Sequence, residues 1–218
     1  MTFDFEQKKQ RSVNERSSRR KFLGGSLLGV AAIVPASLLI AHPASAASSS
    51  EHALDVKQAF IEIQKDENAH VSAIKLALGS AARPKPTFKN LKQSNKESFV
   101  KQSQTFENVG VGAYLMAAPA ISSKKVLAGA GSILAIEARH AGYLNSLLNL
   151  QLSTNGSFDK PLSQGQIVSD ISPFIQSLNG GPDPSKALKN DTDILNFALL
   201  LEYLEATFYN DNVPVFYH

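Results

Sequence analysis

The sequence predicts an all-α protein built on four long helices, and three observations predict it. Apolar residues recur at helical spacing through four segments between residues 51 and 210. Stretches rich in proline, glycine, serine or lysine separate those segments. No apolar/polar alternation of comparable strength marks a strand. At 218 residues the chain is long enough for one domain with a full hydrophobic core.

The first helix is expected over residues 51–78, where Val56, Phe60, Ile63, Val71, Ile74 and Leu78 fall mostly on one face and Gly79 supplies a stop. Residues 80–96 are polar and carry Pro84 and Pro86, so a linker is expected there. The second helix is expected from Lys96 to Ala118, ahead of Pro119. Gly110 and Gly112 lie inside it, each at a cost of about 1 kcal/mol of helix stability, which hints at close packing. Ser122 or Ser123 can cap the third helix, which reaches about Leu150. Residues 151–190 form a long connection with one short helix near 165–178. Asp191 or Asp193 is the expected cap of the fourth helix, which runs to about Tyr209, and an irregular end containing Pro214 follows.

The N-terminus reads as an address. Residues 1–46 hold seven basic and three acidic side chains, which leaves 15 basic against 16 acidic in the remainder. The basic balance therefore belongs to this segment, and it is no sign of a nucleic-acid partner. Ser18-Arg19-Arg20-Lys21-Phe22-Leu23 precedes a moderately apolar run over 22–40, and Ala44-Ser45-Ala46 follows. That layout is a charged region, an apolar region and an Ala-x-Ala cleavage site. The paired arginines resemble a twin-arginine export signal. The expected division is a signal at 1–46 and a helical domain at 47–218. The expected location is periplasmic or extracellular after cleavage near Ala46. The alternative is an uncleaved signal that anchors the chain, the one membrane contact this sequence suggests.

The chain has no cysteine, which excludes disulfides, thiolate metal sites and cysteine nucleophiles. Its chemistry lies instead in two Glu-x-x-His pairs, Glu67/His70 and Glu137/His140. Residues three apart on a helix share a face, so each carboxylate and imidazole can reach one metal ion. Two of the four histidines after residue 46 show this spacing, and each pair sits among small apolar neighbours. Dinuclear carboxylate sites in helical bundles use two such pairs plus one glutamate from each remaining helix. The second helix offers Glu107. The fourth offers Glu202 and Glu205. Glu107 and Glu202 are each followed seven residues later by a tyrosine, Tyr114 and Tyr209. That shared offset selects Glu202 as the equivalent of Glu107 and leaves Glu205 as a neighbour. Both tyrosines can equally be core aromatics with a hydrogen-bonded hydroxyl. The expected metal set is Glu67, His70, Glu107, Glu137, His140 and Glu202. Oxygen-rich donors with two imidazoles suit a dinuclear iron or manganese centre.

The stretches Asp66-Glu67-Asn68-Ala69-His70, Phe106-Glu107-Asn108-Val109-Gly110, Ile136-Glu137-Ala138-Arg139-His140 and Leu201-Glu202-Tyr203-Leu204-Glu205-Ala206 resemble ferritin-like domain proteins of the desiccation- or stress-related type. The resemblance covers most of residues 51–210 and implies a ferritin-like four-helix bundle. In that family the Leu-Glu-Tyr-Leu-Glu-Ala helix comes first, whereas here it comes last, as in a circular permutation. The late helix either completes its own bundle or starts a module that packs on a neighbouring chain. Nothing in the sequence excludes a homo-oligomer. Two functions follow from these observations. One is a dimetal protein that oxidises Fe(II) or consumes peroxide in stress protection. The other is a non-catalytic stress-related or structural bundle without a functional metal site.

Overall fold

The computed structural model describes residues 55–218, so the expected signal at 1–46 and its cleavage site lie outside the described residues. Five helices follow in order: α1 (Val56–Leu78), α2 (Lys96–Ala117), α3 (Lys124–Leu147), α4 (Gln164–Ile171) and α5 (Asp191–Phe216). Two short strands, β1 (Thr87–Phe88) and β2 (Ile175–Ser177), pair antiparallel. Side-chain caps start each long helix. Asn95 accepts from the Ser98 N–H at 2.9 Å, and Ser123 accepts from Val126. Gly79 ends α1 at φ +55°, a left-handed conformation that glycine adopts without cost.

Three expectations need correction. Asn190, not Asp191 or Asp193, caps α5, accepting from the Asp193 N–H at 2.9 Å. Asp191 turns away and accepts from the Ser122 and Ser123 N–H groups at 2.8 Å each, tying the start of α5 to the start of α3. The last helix continues past Tyr209 to Phe216. Pro214 sits in its final turn, where it removes only one helical bond, and the Tyr217 ring stacked on Phe60 at 4.8 Å holds that turn in place. The short helix stops at Ile171. A 3-10 turn containing Pro173 redirects the chain into β2, which sequence periodicity did not reveal.

Cross-helix contacts fix the directions. Gln64 near the start of α1 bonds Asn210 near the end of α5 at 2.9 Å, while His70 farther along α1 meets Glu202 farther back on α5. Gln104 of α2 bonds Asn145 of α3 at 2.8 Å, and Glu107 meets His140. So α1 and α2 run one way, and α3 and α5 run the other. Residues 79–95 and 148–190 are therefore two long crossovers, and they meet through β1 and β2. The second crossover also seals the bundle. Ile167 and Ile171 enter the core, and the Leu162 N–H donates to the Gly112 carbonyl at 3.1 Å. A methyl group at Gly112 would stand 2.5 Å from Leu162 Cγ, so this close approach requires glycine.

The core is uneven. One end holds Phe60, Phe99, Phe106, Phe208 and Tyr209, with Phe99 stacked on Phe208 at 5.3 Å. Burial of each such ring stabilises the fold by about 1.5–3 kcal/mol. The other end is smaller, built on Ile74, Leu78, Leu199 and Tyr203. The polar cluster lies between them. No helix among the described residues is long and apolar enough to cross a membrane.

Candidate metal centre

The four long helices bring all six predicted residues to one place inside a single chain. α1 presents Glu67 and His70, and α3 presents Glu137 and His140. α2 presents Glu107, and α5 presents Glu202. The four glutamates are 0% exposed and the two histidines 7%. The i,i+3 spacing sets each pair on one face, and the antiparallel course of α1 and α3 faces the pairs toward each other. His70 Nδ1 lies 3.1 Å from Glu137 Oε1, and 3.3 Å from both Glu67 Oε2 and Glu202 Oε2. His140 Nδ1 lies 3.0 Å from Glu67 Oε1 and 3.2 Å from Glu107 Oε2.

These atoms form two overlapping groups of four. One is Glu67, His70, Glu137 and Glu202. The other is Glu67, Glu107, Glu137 and His140. Glu67 and Glu137 belong to both. Within each group the donor atoms lie within 4.8 Å of one another. Donors on opposite sides of an ion with bonds of about 2.1 Å stand about 4.2 Å apart, so small shifts close either group on an ion.

The orientation of the oxygens strengthens that fit. Glu67 Oε1, Glu137 Oε1 and Oε2 and Glu202 Oε2 are fully buried yet make no hydrogen bond. Three of them stand within 3.3 Å of an imidazole nitrogen, but at angles that do not make a bond. With the two imidazole Nδ1 atoms they lie in two compact donor groups, each gathered about a common centre. Buried acceptors without partners are costly, and a cation at those centres would satisfy them.

Electrostatics tell the same story. Burial raises the Glu137 and Glu205 carboxyls well above their ordinary value, and the surrounding carboxylates push them further. Burial likewise lifts Glu202 to about 7, partly offset by the neighbouring His70 imidazole. Burial opposes the charged form of His140, but Glu107 and Glu67 overcome it and raise that imidazole to about 11. Burial also opposes the charged form of His70, and Glu137, Glu202 and Glu67 overcome it, so this imidazole is raised too. Glu67 moves the other way. Burial would raise it, yet the two histidines beside it leave it lowered. Protons thus supply the positive charge that the carboxylates demand.

Two features around the cluster were not read from the sequence. The tyrosines cross over. Tyr114 donates to Glu202, and Tyr209 donates to Glu107 at 2.5 Å. Antiparallel α2 and α5 place each tyrosine level with the other helix's glutamate, so the seven-residue offset was the signal and the pairing was reciprocal. Burial, together with those carboxylates, pushes both phenols well above their ordinary range, so each stays a donor. Asp66 was missed. Its Oδ2 lies 3.2 Å from His140 Nε2, on the side of the ring away from Nδ1, and so orients the ring with Nδ1 facing the cluster. Glu205, expected as a neighbour, is a fifth buried carboxyl beside the cluster. Gly110 makes room for it. A methyl group there would lie 2.7 Å from Glu137 Oε2 and 3.3 Å from Glu205 Oε1.

A four-helix bundle with an acidic, two-histidine interior defines a class of protein able to hold metal ions. The sequence model of one family, described as a ferritin-like domain, matches residues 19–150 and 190–216, and the chain belongs to that family. The unmatched stretch falls within the second crossover. No curated protein and no solved structure matches the chain.

Proposed function

We propose that this chain is an exported ferritin-like protein of the stress-protection type that holds two iron or manganese ions. Glu67 and Glu137, which belong to both donor groups, would be shared between the two positions. His70 and Glu202 would complete one position, and His140 and Glu107 the other. The observation that carries this reading is the convergence of four unpartnered, buried carboxylate oxygens with two imidazole Nδ1 atoms. Charge supports it. Four ionised glutamates balance two divalent ions, while Glu205, raised by its burial, stays protonated outside that balance. Bound iron or manganese would supply electrons to dioxygen or peroxide. The protein's part is to fix the donors, to keep bulk water out through the aromatic end, and to hold protons on Tyr114 and Tyr209 against the terminal glutamates.

The helix order is best read as a circular permutation. With α5 placed first, the helices would run down, up, up, down with a single crossover between the two parallel members. Export rests on the paired arginines and Ala44-Ser45-Ala46. A mature N-terminus at Ala47, found by mass spectrometry, tests it.

The metal reading is tested by elemental analysis of protein purified without chelators and then reloaded. About two Fe or Mn per chain are expected, and the His70→Ala/His140→Ala double variant should lose them. A chain that stays metal-free after loading, with thermal stability unchanged by the double substitution, would favour a structural bundle instead.

A further inference from the structure

Among the described residues, the side of the bundle between α1 and α3, which the second crossover does not cover, is open. A groove of about 630 Å³ runs between the C-terminal half of α1 and the N-terminal half of α3, on the side away from the aromatic core. Its walls are small. Ala69, Ala73 and Ala77 line one side, and Gly129, Ala130 and Ile133 the other. The trough exists because bulky side chains are missing there, and Leu76 stands 85% exposed on its rim. The inner end is formed by His70, Tyr114 and Ile136. His70 faces Glu137 and Glu202, and Tyr114 donates to Glu202, so the groove opens onto one half of the buried cluster. The outer end carries Lys125, and among the described residues no carboxylate lines the groove. The His140 half is placed differently. Its outward nitrogen is occupied by Asp66, and His140 does not line this groove.

We propose that this groove binds a linear, amphipathic monoanion, with its hydrocarbon tail against the alanine and isoleucine walls and its anionic head at Lys125. The dimensions fit. Lys125 to Ile136 spans eleven residues of helix, about 16 Å, roughly the reach of a dozen methylenes. The charge fits as well, since a single lysine at the mouth complements one anionic group and the remaining wall is apolar. The groove is also continuous with the cluster, so the far end of the tail lies beside the position built from His70 and Glu202. That assigns the His70 half to substrate and leaves the His140 half as the enclosed partner. This role in substrate supply rests on the metal reading above, whereas the binding itself does not.

The test uses dodecanoate, below its micellar concentration, titrated calorimetrically into the full, metal-free chain. Saturable one-to-one binding is expected. Lys125→Gln should weaken dodecanoate about threefold, as for an exposed ion pair, and leave the uncharged dodecanol unaffected. Gly129→Leu should weaken both about tenfold or more by filling the trough. A methyl group at Gly129 meets nothing within 4 Å, and leucine is the better helix former, so this variant should melt no lower than the parent. Absence of dodecanoate binding overturns the proposal, and so does a Gly129→Leu variant that binds as tightly as the parent. A full chain that elutes as a dimer, and that Gly129→Leu converts to a monomer, also overturns it by assigning the groove to a second copy. Metal content of the same preparations separates the two readings. A chain that loads metal but ignores dodecanoate removes the groove alone, and one that binds dodecanoate but no metal removes the centre alone.

Discussion

At the scale of single residues, the cluster behaves as a store of protons awaiting exchange. His70, His140, Glu137 and Glu202 all hold protons more tightly than in an unfolded chain. A divalent ion must displace them, so apparent metal affinity should rise with pH, and calorimetry in buffers of differing ionisation enthalpy should detect proton release. Stability without metal follows the same sign. A carboxyl whose folded value lies above its unfolded one stabilises the fold at low pH, and that contribution disappears as pH climbs through the folded value. For Glu202 the window runs from its ordinary value near 4.5 up to about 7. The melting temperature of the metal-free chain should therefore fall as pH rises through that window. Saturating Mn(II) should remove the fall, and a flat profile without metal would contradict this account. Tyr209→Phe removes a donor from a buried carboxylate and should cost about 1–3 kcal/mol, read by denaturant titration, with weaker binding of the second metal equivalent.

At the scale of elements, most of the cluster was legible because helical spacing converts directly into a shared face. Glu67/His70 and Glu137/His140 needed no tertiary knowledge beyond that. Glu107 and Glu202 were legible through their tyrosines at a common offset, although the offset could not say which tyrosine serves which glutamate. That depends on helix direction, which two crossovers set and no local pattern encodes. Asp66 was illegible for a related reason, since a residue beside Glu67 points off the ligand face until a histidine from another helix meets it. Pro214 misled because its cost depends on how many helical bonds follow, and here the chain is nearly finished. The strands escaped notice because two- and three-residue pairings have no periodicity to show. Gly110 carries the sharpest test at this scale. Alanine there would improve helix propensity, yet its methyl group would press on Glu137. Gly110→Ala should keep the helical circular-dichroism spectrum while lowering metal occupancy. Occupancy equal to the parent's would mean that Glu137 is free to move aside.

At the scale of the whole molecule, the order of the helices is the feature with most to explain. The last helix ends where the first begins, because Tyr217 stacks on Phe60, and Phe216 lies 5.6 Å from Phe99. Asp55, Val56, Tyr217 and His218 share one surface recess at that end. A short flexible linker can therefore join residue 218 to residue 55 without disturbing any core contact. The second crossover offers a matching place to cut, at the exposed turn of Asn179 and Gly180, where both residues adopt positive φ. A chain reordered as residues 180–218, a glycine-serine linker, then residues 55–179 keeps every helix, both strands and the Leu162 contact with Gly112. Its six cluster residues come from the same helices in the same directions. The reordered chain should fold cooperatively, melt within about 5 °C of the parent, a shift worth roughly 1–2 kcal/mol, and bind the same metal complement. The connection it gains is short and local, whereas the one it loses is a distant crossover, so refolding after dilution from urea should be at least as fast. If the reordered chain aggregated or lost its metal while the parent kept both, the late position of α5 would be part of how the bundle assembles.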